Sequence, residues 1–284
     1  MVRRDVPREF FWRAPVWQAD LDAFGELRST TLLRLLQEAA TRASTDAGFD
    51  SAYYDRTGGM WIVRRTQLSM ASPARYGDLL DVRTWITDFR RVRSQRAYEV
   101  RSGERLVARA FSDWVFVDLR GRPRRIPAEW HAAFGVAETH APTRMSFPAA
   151  APPDRALTFH RRIELHELDA LRHVNNSNYV AYIEQAMQDA AEAAGCGFDA
   201  QIAAGGRLRA VEHDLEYLDA ALYGERIAAT TWTLAATSEE VEQHTHLHRG
   251  DPHRPLLQAH SRHRWTSLDD TPMPTALRVA FQMP

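Results

Sequence analysis

Between residues 166 and 184 the chain reads His166-Glu167-Leu168-Asp169-Ala170-Leu171-Arg172-His173-Val174-Asn175-Asn176-Ser177-Asn178-Tyr179-Val180-Ala181-Tyr182-Ile183-Glu184. This puts a carboxylate, an imidazole and two carboxamides just ahead of an amphipathic stretch. A carboxylate beside a reacting carbonyl can act as a general base on water, or attack directly through a transient anhydride. A helix opening near Asn176 or Ser177 offers unpaired backbone N–H groups and the positive end of a helix dipole. Aimed at a carbonyl oxygen, the donors around Val174, Asn175 and Asn176 would stabilise the charge that develops there. His173 stands where it can hydrogen-bond a carboxylate or a departing group. Asp169 and Asn176 are equally residue types that cap helices, and Asn175 and Asn176 are turn formers.

Other candidates are thinner. His244-Thr245-His246-Leu247-His248 sets three histidines on one strand face, with His253 nearby. Side chains two apart on a strand project in parallel rather than converging tetrahedrally, so no metal site is expected. Cys196, the single cysteine, follows a helix-ending glycine and is read as packing. Arg64, Arg65, Arg90, Arg91, Arg93 and Arg96 form a basic cluster suited to carboxylates and phosphates. Residues 1–147 carry 24 arginines against 18 acidic residues (+6), residues 148–284 carry 12 against 19 (−7), and there is no lysine. Without an aromatic-interleaved motif, that cluster does not speak for nucleic acid.

The elements that must hold these groups are announced by a repeat at a shift of 147. Asp20-Leu21-Asp22-Ala23 falls on Glu167-Leu168-Asp169-Ala170, Ala39, Ala43 and Gly48 on Ala186, Ala190 and Gly195, and Tyr76-Gly77 on Tyr223-Gly224. Thr84-Trp85 meets Thr231-Trp232. Beyond Asp251-Pro252-His253-Arg254 the shift grows by four, and Trp114 meets Trp265. A register held this long marks a duplication. The join, rich in alanine and proline, divides the chain into 1–140, a linker at 141–157, and 158–284. Each unit opens with a strand (Val16-Trp17-Gln18-Ala19; Arg162-Ile163-Glu164-Leu165). Amphipathic helices follow near 31–47 and 178–194, with Gly48 and Gly195 at their C-terminal ends. Strand-like runs come next, at Asp81–Ile86, Arg96–Val100 and Val107–Asp118, and at Arg226–Trp232, Glu240–Arg249 and Leu257–Ser267. A long helix and an antiparallel meander, used twice, give an α+β fold with the sheet wrapped around the helix.

Length and composition agree. The 284 residues are 44% hydrophobic and 26% charged, which supplies a core and excludes a disordered or low-complexity chain. Apolar runs fall far short of the roughly 20 residues of a membrane helix. No secretory signal follows Met1, and one cysteine forms no internal disulfide, so a cytoplasmic location is expected.

The segment from His166 to Glu184 resembles the active-site segment of the hot-dog thioesterase superfamily, in which an Asp precedes His-Val-Asn-Asn and a tyrosine-rich helix. The first unit is similar to the N-terminal half of acyl-acyl-carrier-protein thioesterases. The likeness lies in Leu35-Leu36-Gln37-Glu38-Ala39-Ala40, Trp61-Ile62-Val63-Arg64-Arg65, Tyr76–Trp85 and Ala110–Val115. The resemblance implies two tandem hot-dog domains and release of a free fatty acid from acyl carrier protein, with acyl-coenzyme A as the alternative thioester and a non-catalytic acyl-binding protein as the further one. It implies no metal or organic cofactor. Carried over by position, the catalytic groups are Asp169, His173 and, on the facing strand of Glu212–Tyr217, Glu216. Two positions depart from plant members: Leu171 replaces an asparagine and Tyr217 a cysteine.

In the first unit Asp169 is matched by Asp22, but His173 becomes Glu26, Glu216 becomes Ser69, and Asn175-Asn176 becomes Arg28-Ser29. One active site, in the second unit, is therefore expected, the first serving as structural mate and acyl-chain binder. The arginine cluster would dock an acidic carrier protein or the phosphates of coenzyme A. The fused pair satisfies the pairing of hot-dog units within one chain, or pairs again as a homodimer.

Overall fold

The computed structural model describes residues 8–136, 152–250, 254–267 and 271–282. Backbone proximity divides the chain into two units, Met1–Thr143 and Arg144–Pro284. Residues 141–151 of the expected linker, and His253, lie outside the described residues.

The first unit runs β1 (Glu9–Pro15), α1 (Ser29–Asp46), α2 (Ser51–Thr57), β2 (Gly59–Met70), β3 (Leu79–Phe89), β4 (Arg93–Ser102), β5 (Arg105–Asp118) and α3 (Ala128–Phe134). Its strands are ordered β1-β3-β4-β5-β2, every neighbour antiparallel. The second runs β6 (Leu157–Arg162), α4 (Asn178–Ala193), α5 (Phe198–Ala203), β7 (Gly206–Tyr217), β8 (Arg226–Ala236), β9 (Glu240–Arg249), β10 (Pro255–Ser267) and α6 (Thr275–Gln282). Its order, β7-β10-β9-β8-β6, is the same plan read from the other edge. The architecture is α+β.

Helical periodicity explains α1 and α4. Leu32, Leu36, Ala39 and Ala43 of α1 and Tyr179, Ile183, Ala186 and Ala190 of α4 recur at three and four and are buried. Each of the larger ones contributes about 1.5–3 kcal/mol by leaving water. Both helices end in the same capping pattern. Gly48 N–H donates to Thr45 O and Phe49 N–H to Ser44 O (both 2.9 Å), while Gly195 and Cys196 repeat it on Glu192 O (2.9 Å) and Ala191 O (2.8 Å). The left-handed φ of +92° at Gly48 and +73° at Gly195 is what this cap requires.

The duplication extends to irregularities. The β3–β4 ladder slips between Ile86 and Asp88, and β8–β9 slips between Thr233 and Ala235, positions 147 apart. A β-bulge re-aims the side chains beyond it and is kept where that aim matters.

The opening strands are corrected. They are Glu9–Pro15 and Leu157–Arg162, and the residues expected to be extended lead instead into short 3-10 turns, Gln18–Asp20 and Leu165–Glu167. The cause is a carboxylate three residues ahead. Asp20 Oδ2 accepts Trp17 N–H (2.9 Å) and Glu167 Oε2 accepts Glu164 N–H (2.7 Å), which closes the turn and ends the ladder.

Candidate active site

The Asp169 segment is a tight turn built on its own backbone. Asp169 N–H donates to His173 O (2.8 Å), Arg172 N–H to Asp169 O (2.9 Å), and Leu171 N–H to Asp169 Oδ1 (2.8 Å). Arg172 closes the turn at φ +62°, where Gly25 stands at φ +72° in the first unit. There Asp22 N–H donates to Glu26 O (2.7 Å) and Asp22 Oδ1 accepts the N–H of Phe24 (2.8 Å) and Glu26 (2.9 Å). The two aspartates therefore fold the same turn. In the second, Oδ1 is used by the turn and Oδ2 has no hydrogen-bond partner among the described residues.

What surrounds the second turn differs from the first. The His173 imidazole is exposed and unpartnered among the described residues, between the exposed side chains of Leu171 and Leu222. A bridge between His173 and Leu222, and Val174 N–H on Ala221 O (3.0 Å), clip the turn to the loop between β7 and β8.

The entrance to α4 shows which donors remain. Val174 N–H is spent on Ala221 O, so Val174, expected among the oxyanion donors, fixes the loop instead. Asn175 N–H is spent on Glu167 O (2.9 Å), and its Oδ1 accepts from Ser177 N–H (3.0 Å) and Ser177 Oγ–H (2.6 Å). Asn175 thus closes the turn that leads into the helix, whose first flanking residue is Ser177. Asn176 is different: no hydrogen bond among the described residues uses its backbone N–H or its carboxamide. Its carbonyl accepts from Tyr217 Oη (3.2 Å), which pins it to the end of β7. Asn176 is the unused donor of this corner.

Glu216 is not brought to the turn. Along β7 the His213 ring meets Glu184 of α4 (3.1 Å) and the Tyr217 ring meets Tyr179 (centroids 5.7 Å), so odd-numbered side chains face the helix. Glu216 alternates to the opposite face, where Gln258 Nε2 donates to its Oε2 (2.7 Å).

The arginine cluster also separates. Arg91, in the β3–β4 turn, and Arg93, the first residue of β4, are exposed and without ion-pair partners among the described residues, and Arg90 beside them pairs with Asp88 (2.8 Å). Arg64 and Arg65 are half-buried on β2. Arg96 is buried, only 4% exposed, and is no part of a surface.

The strand histidines behave as core. His244 lies flat on Trp232 (5.0 Å, 10° between planes), and burial pushes its imidazole down to about 3. His248 is bonded to Thr230 Oγ1 (3.1 Å). No group of three or more His, Cys, Asp or Glu among the described residues is arranged to hold a metal ion. Cys196 packs with Met187, Trp265 and Phe281, and burial raises its thiol.

A helix wrapped by an antiparallel sheet, built twice, is a tandem hot-dog fold, and its second helix is entered through a carboxylate turn and an N–H uncommitted among the described residues. Residues 9–134 match the family model of the acyl-ACP thioesterase N-terminal domain, and residues 163–281 match that of the thioesterase-like superfamily. The first unit is thus matched by an acyl-ACP thioesterase domain model and the second by a thioesterase-like one, each over less than half of the chain, and the chain is a thioester hydrolase.

Solved structures share the fold. A putative oleoyl thioesterase from Lactobacillus plantarum is 17% identical with a TM-score of 0.77, over 94% of this chain and 99% of that one. The 12:0-ACP thioesterase from Umbellularia californica is 18% identical (TM-score 0.74, 91% and 94%). An acyl-ACP thioesterase from Bacteroides thetaiotaomicron is 14% identical (0.72, 91% and 98%). No curated protein matches the chain in sequence.

Proposed function

We propose that hydrolysis is carried out by the second unit through Asp169, His173 and Asn176, with the first unit binding the acyl chain. The observation that carries this reading is the internal comparison: one turn, folded by Asp22 and again by Asp169, is followed by an imidazole only in the second copy, where the first has Glu26. Asp169 Oδ2 takes a proton from water as the water oxygen adds to the thioester carbonyl carbon. Asn176 N–H, at the positive end of α4, donates to the oxyanion that forms. Collapse breaks the C–S bond, and the proton taken up by Asp169 passes through His173 to the departing sulfur, so the products are a fatty acid and a free thiol and both side chains return to their starting states. Leu171 and Leu222 give the entrance an apolar rim that lowers the local dielectric.

Asn175 and Val174 position this corner rather than touch the substrate, and Glu216 supports the sheet through Gln258. Arg91 and Arg93 meet the acidic carrier protein, with Arg90 beside them held by Asp88 and Arg64 and Arg65 set back on the same unit. The enzyme draws on the acyl-ACP pool of fatty acid biosynthesis in the cytoplasm. Among the described residues no helix is long and apolar enough to cross a membrane. The test is steady-state release of thiol from acyl-ACP and acyl-coenzyme A of matched chains. Arg91→Glu with Arg93→Glu should raise KM for acyl-ACP about tenfold with kcat little changed, as uniform binding is lost. Equal KM in wild type and variant would remove these arginines from docking.

A further inference from the structure

The first unit has a half-open cavity of about 320 Å³ between α1 and the sheet, at the end of the helix bordered by α2 and α3, with the exposed Thr41, Thr45, Asp50 and Ser51 at its mouth. Its size suits a small ligand. Most of its wall is apolar: Phe49, Trp61, Ile86, Phe89, Trp114 and Trp130 line it. Two polar groups of β4 interrupt that wall, Ser94 (5% exposed) and Arg96 (4% exposed).

The protein leaves both polar groups short of partners. Among the described residues the Ser94 hydroxyl has no hydrogen-bond partner. Arg96 makes one hydrogen bond, a long one from Nη1 to the neutral Thr84 Oγ1 (3.3 Å), and its guanidinium lies 5.3 Å from the Phe134 ring centre. None of the ion pairs of the described residues includes it. Burial lowers the pKa of this guanidinium, the direction expected of a cation removed from water without a counter-ion. A buried, unpaired charge is costly unless something meets it.

The second unit shows what the same space looks like when it is not a site. At the 147-residue shift Ala40 becomes Met187, Phe49 becomes Cys196, Ser94 becomes Val241 and Arg96 becomes Gln243. Met187, Cys196 and Val241 join Leu208, Trp265 and Phe281 in a filled core. The first unit has thus a smaller residue on the helix and a cation on the strand at matching places. Ala40 leaves room on the helix where the second unit has Met187, while Phe49 and Trp61 are larger than the matching Cys196 and Leu208, and the cation sets what the space takes.

We infer that this cavity receives an acyl chain whose far end carries an oxygen acceptor, a carboxylate above all, which pairs with Arg96 and Ser94. The inference rests on the reading that the first unit binds the acyl chain, and it names the class of chain. An unsubstituted alkyl end would leave the guanidinium desolvated and unpaired. An ω-carboxylate accepts from the guanidinium fork and from the Ser94 hydroxyl at once. An ω-hydroxyl or keto oxygen offers the same acceptor without the charge.

The test uses the full chain, acyl-ACP substrates in a chain-length series, and at each length an alkanoyl thioester beside its ω-carboxy counterpart. The wild type should favour the ω-carboxy chain in kcat/KM by about tenfold or more at its best length, the worth of one charge-assisted pair. Arg96→Gln, the second unit's own residue, should reverse the preference, and Ser94→Val should weaken it. A wild type that favours the unsubstituted chain, or a preference untouched by Arg96→Gln, overturns the inference while leaving the hydrolase reading intact. Loss of hydrolysis on every chain strikes the hydrolase reading, and binding then decides the inference. Mono-methyl dodecanedioate should change tryptophan fluorescence at lower concentration than methyl dodecanoate in the wild type but not in Arg96→Gln. Equal affinities would overturn it.

Discussion

Under the proposed mechanism Asn176 separates positioning from chemistry at this corner, because its neighbours are already committed. Val174 and Asn175 give their N–H groups to Ala221 O and Glu167 O, and Asn175 Oδ1 closes the helix entrance. Asn175→Ala should therefore lower stability, by about 1 kcal/mol as loss of such a hydrogen bond does. Asn176→Ala should leave the urea midpoint in place and lower kcat by about ten- to a hundredfold if its carboxamide joins the N–H at the oxyanion. Unchanged kcat would confine the donor to the backbone. Glu216→Gln keeps an oxygen for Gln258 and should change kcat by less than about threefold, since a group on the far face of β7 does not touch the reacting atoms. A collapse in kcat would return Glu216 to the chemistry. The parity of Glu216 was not read from the sequence, which placed it among the catalytic groups: Leu215 and Tyr217 are buried, and the residue between them leaves on the other face. Nor was Arg96. Strand alternation places it with Ser94 and Tyr98 on one face of β4, but only the packed structure shows that this face borders a cavity.

At the scale of elements, the repeat made most of the fold readable. Helices α1 and α4 were expected at 31–47 and 178–194 and are found at Ser29–Asp46 and Asn178–Ala193. Their glycine caps were expected from Gly48 and Gly195. The short helices α2, α3, α5 and α6 went unread because six to eight residues are too few for a period to show. The opening strands were misplaced because Val16 and Trp17 have strand composition, while the capping carboxylate of Asp20 decides the backbone. The Asp169 turn offers a stability test of the duplication. Arg172 holds a left-handed backbone at a cost of about 1–2 kcal/mol, partly offset by its smaller unfolded-state entropy compared with glycine. Arg172→Gly, restoring the residue at the matching place in the first unit, should stabilise by about 0.5–1 kcal/mol in urea unfolding. A destabilised variant would mean that the Arg172 side chain contributes more than its backbone costs.

For the whole molecule, buried histidines set the acid limit. Burial pushes His244 and His263 down to about 3, so both are neutral in the folded chain at any pH near neutrality. Unfolded, each takes a proton near the ordinary value of about 6.5. The unfolded state therefore binds more protons below that pH. Stability is fully retained above about 6.5 and falls as pH drops toward 3, at up to about 1.4 kcal/mol per pH unit for each histidine. Urea midpoints at neutral pH and in mild acid should differ accordingly, and the difference should shrink in His263→Gln. A midpoint flat over that range would show these rings to be protonated or solvated in the fold.

On the proposed mechanism a duplicated turn became catalytic in one copy only. This is tested most directly by thiol release from a panel of acyl-ACP thioesters with wild type, Asp22→Asn and Asp169→Asn side by side. The two substitutions are chemically identical, fall on matching turns, and leave an Oδ1 acceptor for the turn in each. Asp169→Asn should retain the wild-type unfolding midpoint and lose kcat by about a hundredfold or more, as loss of a general base does. Asp22→Asn should retain both. Comparable activity in the wild type and Asp169→Asn, or an equal loss in both variants, would contradict the account.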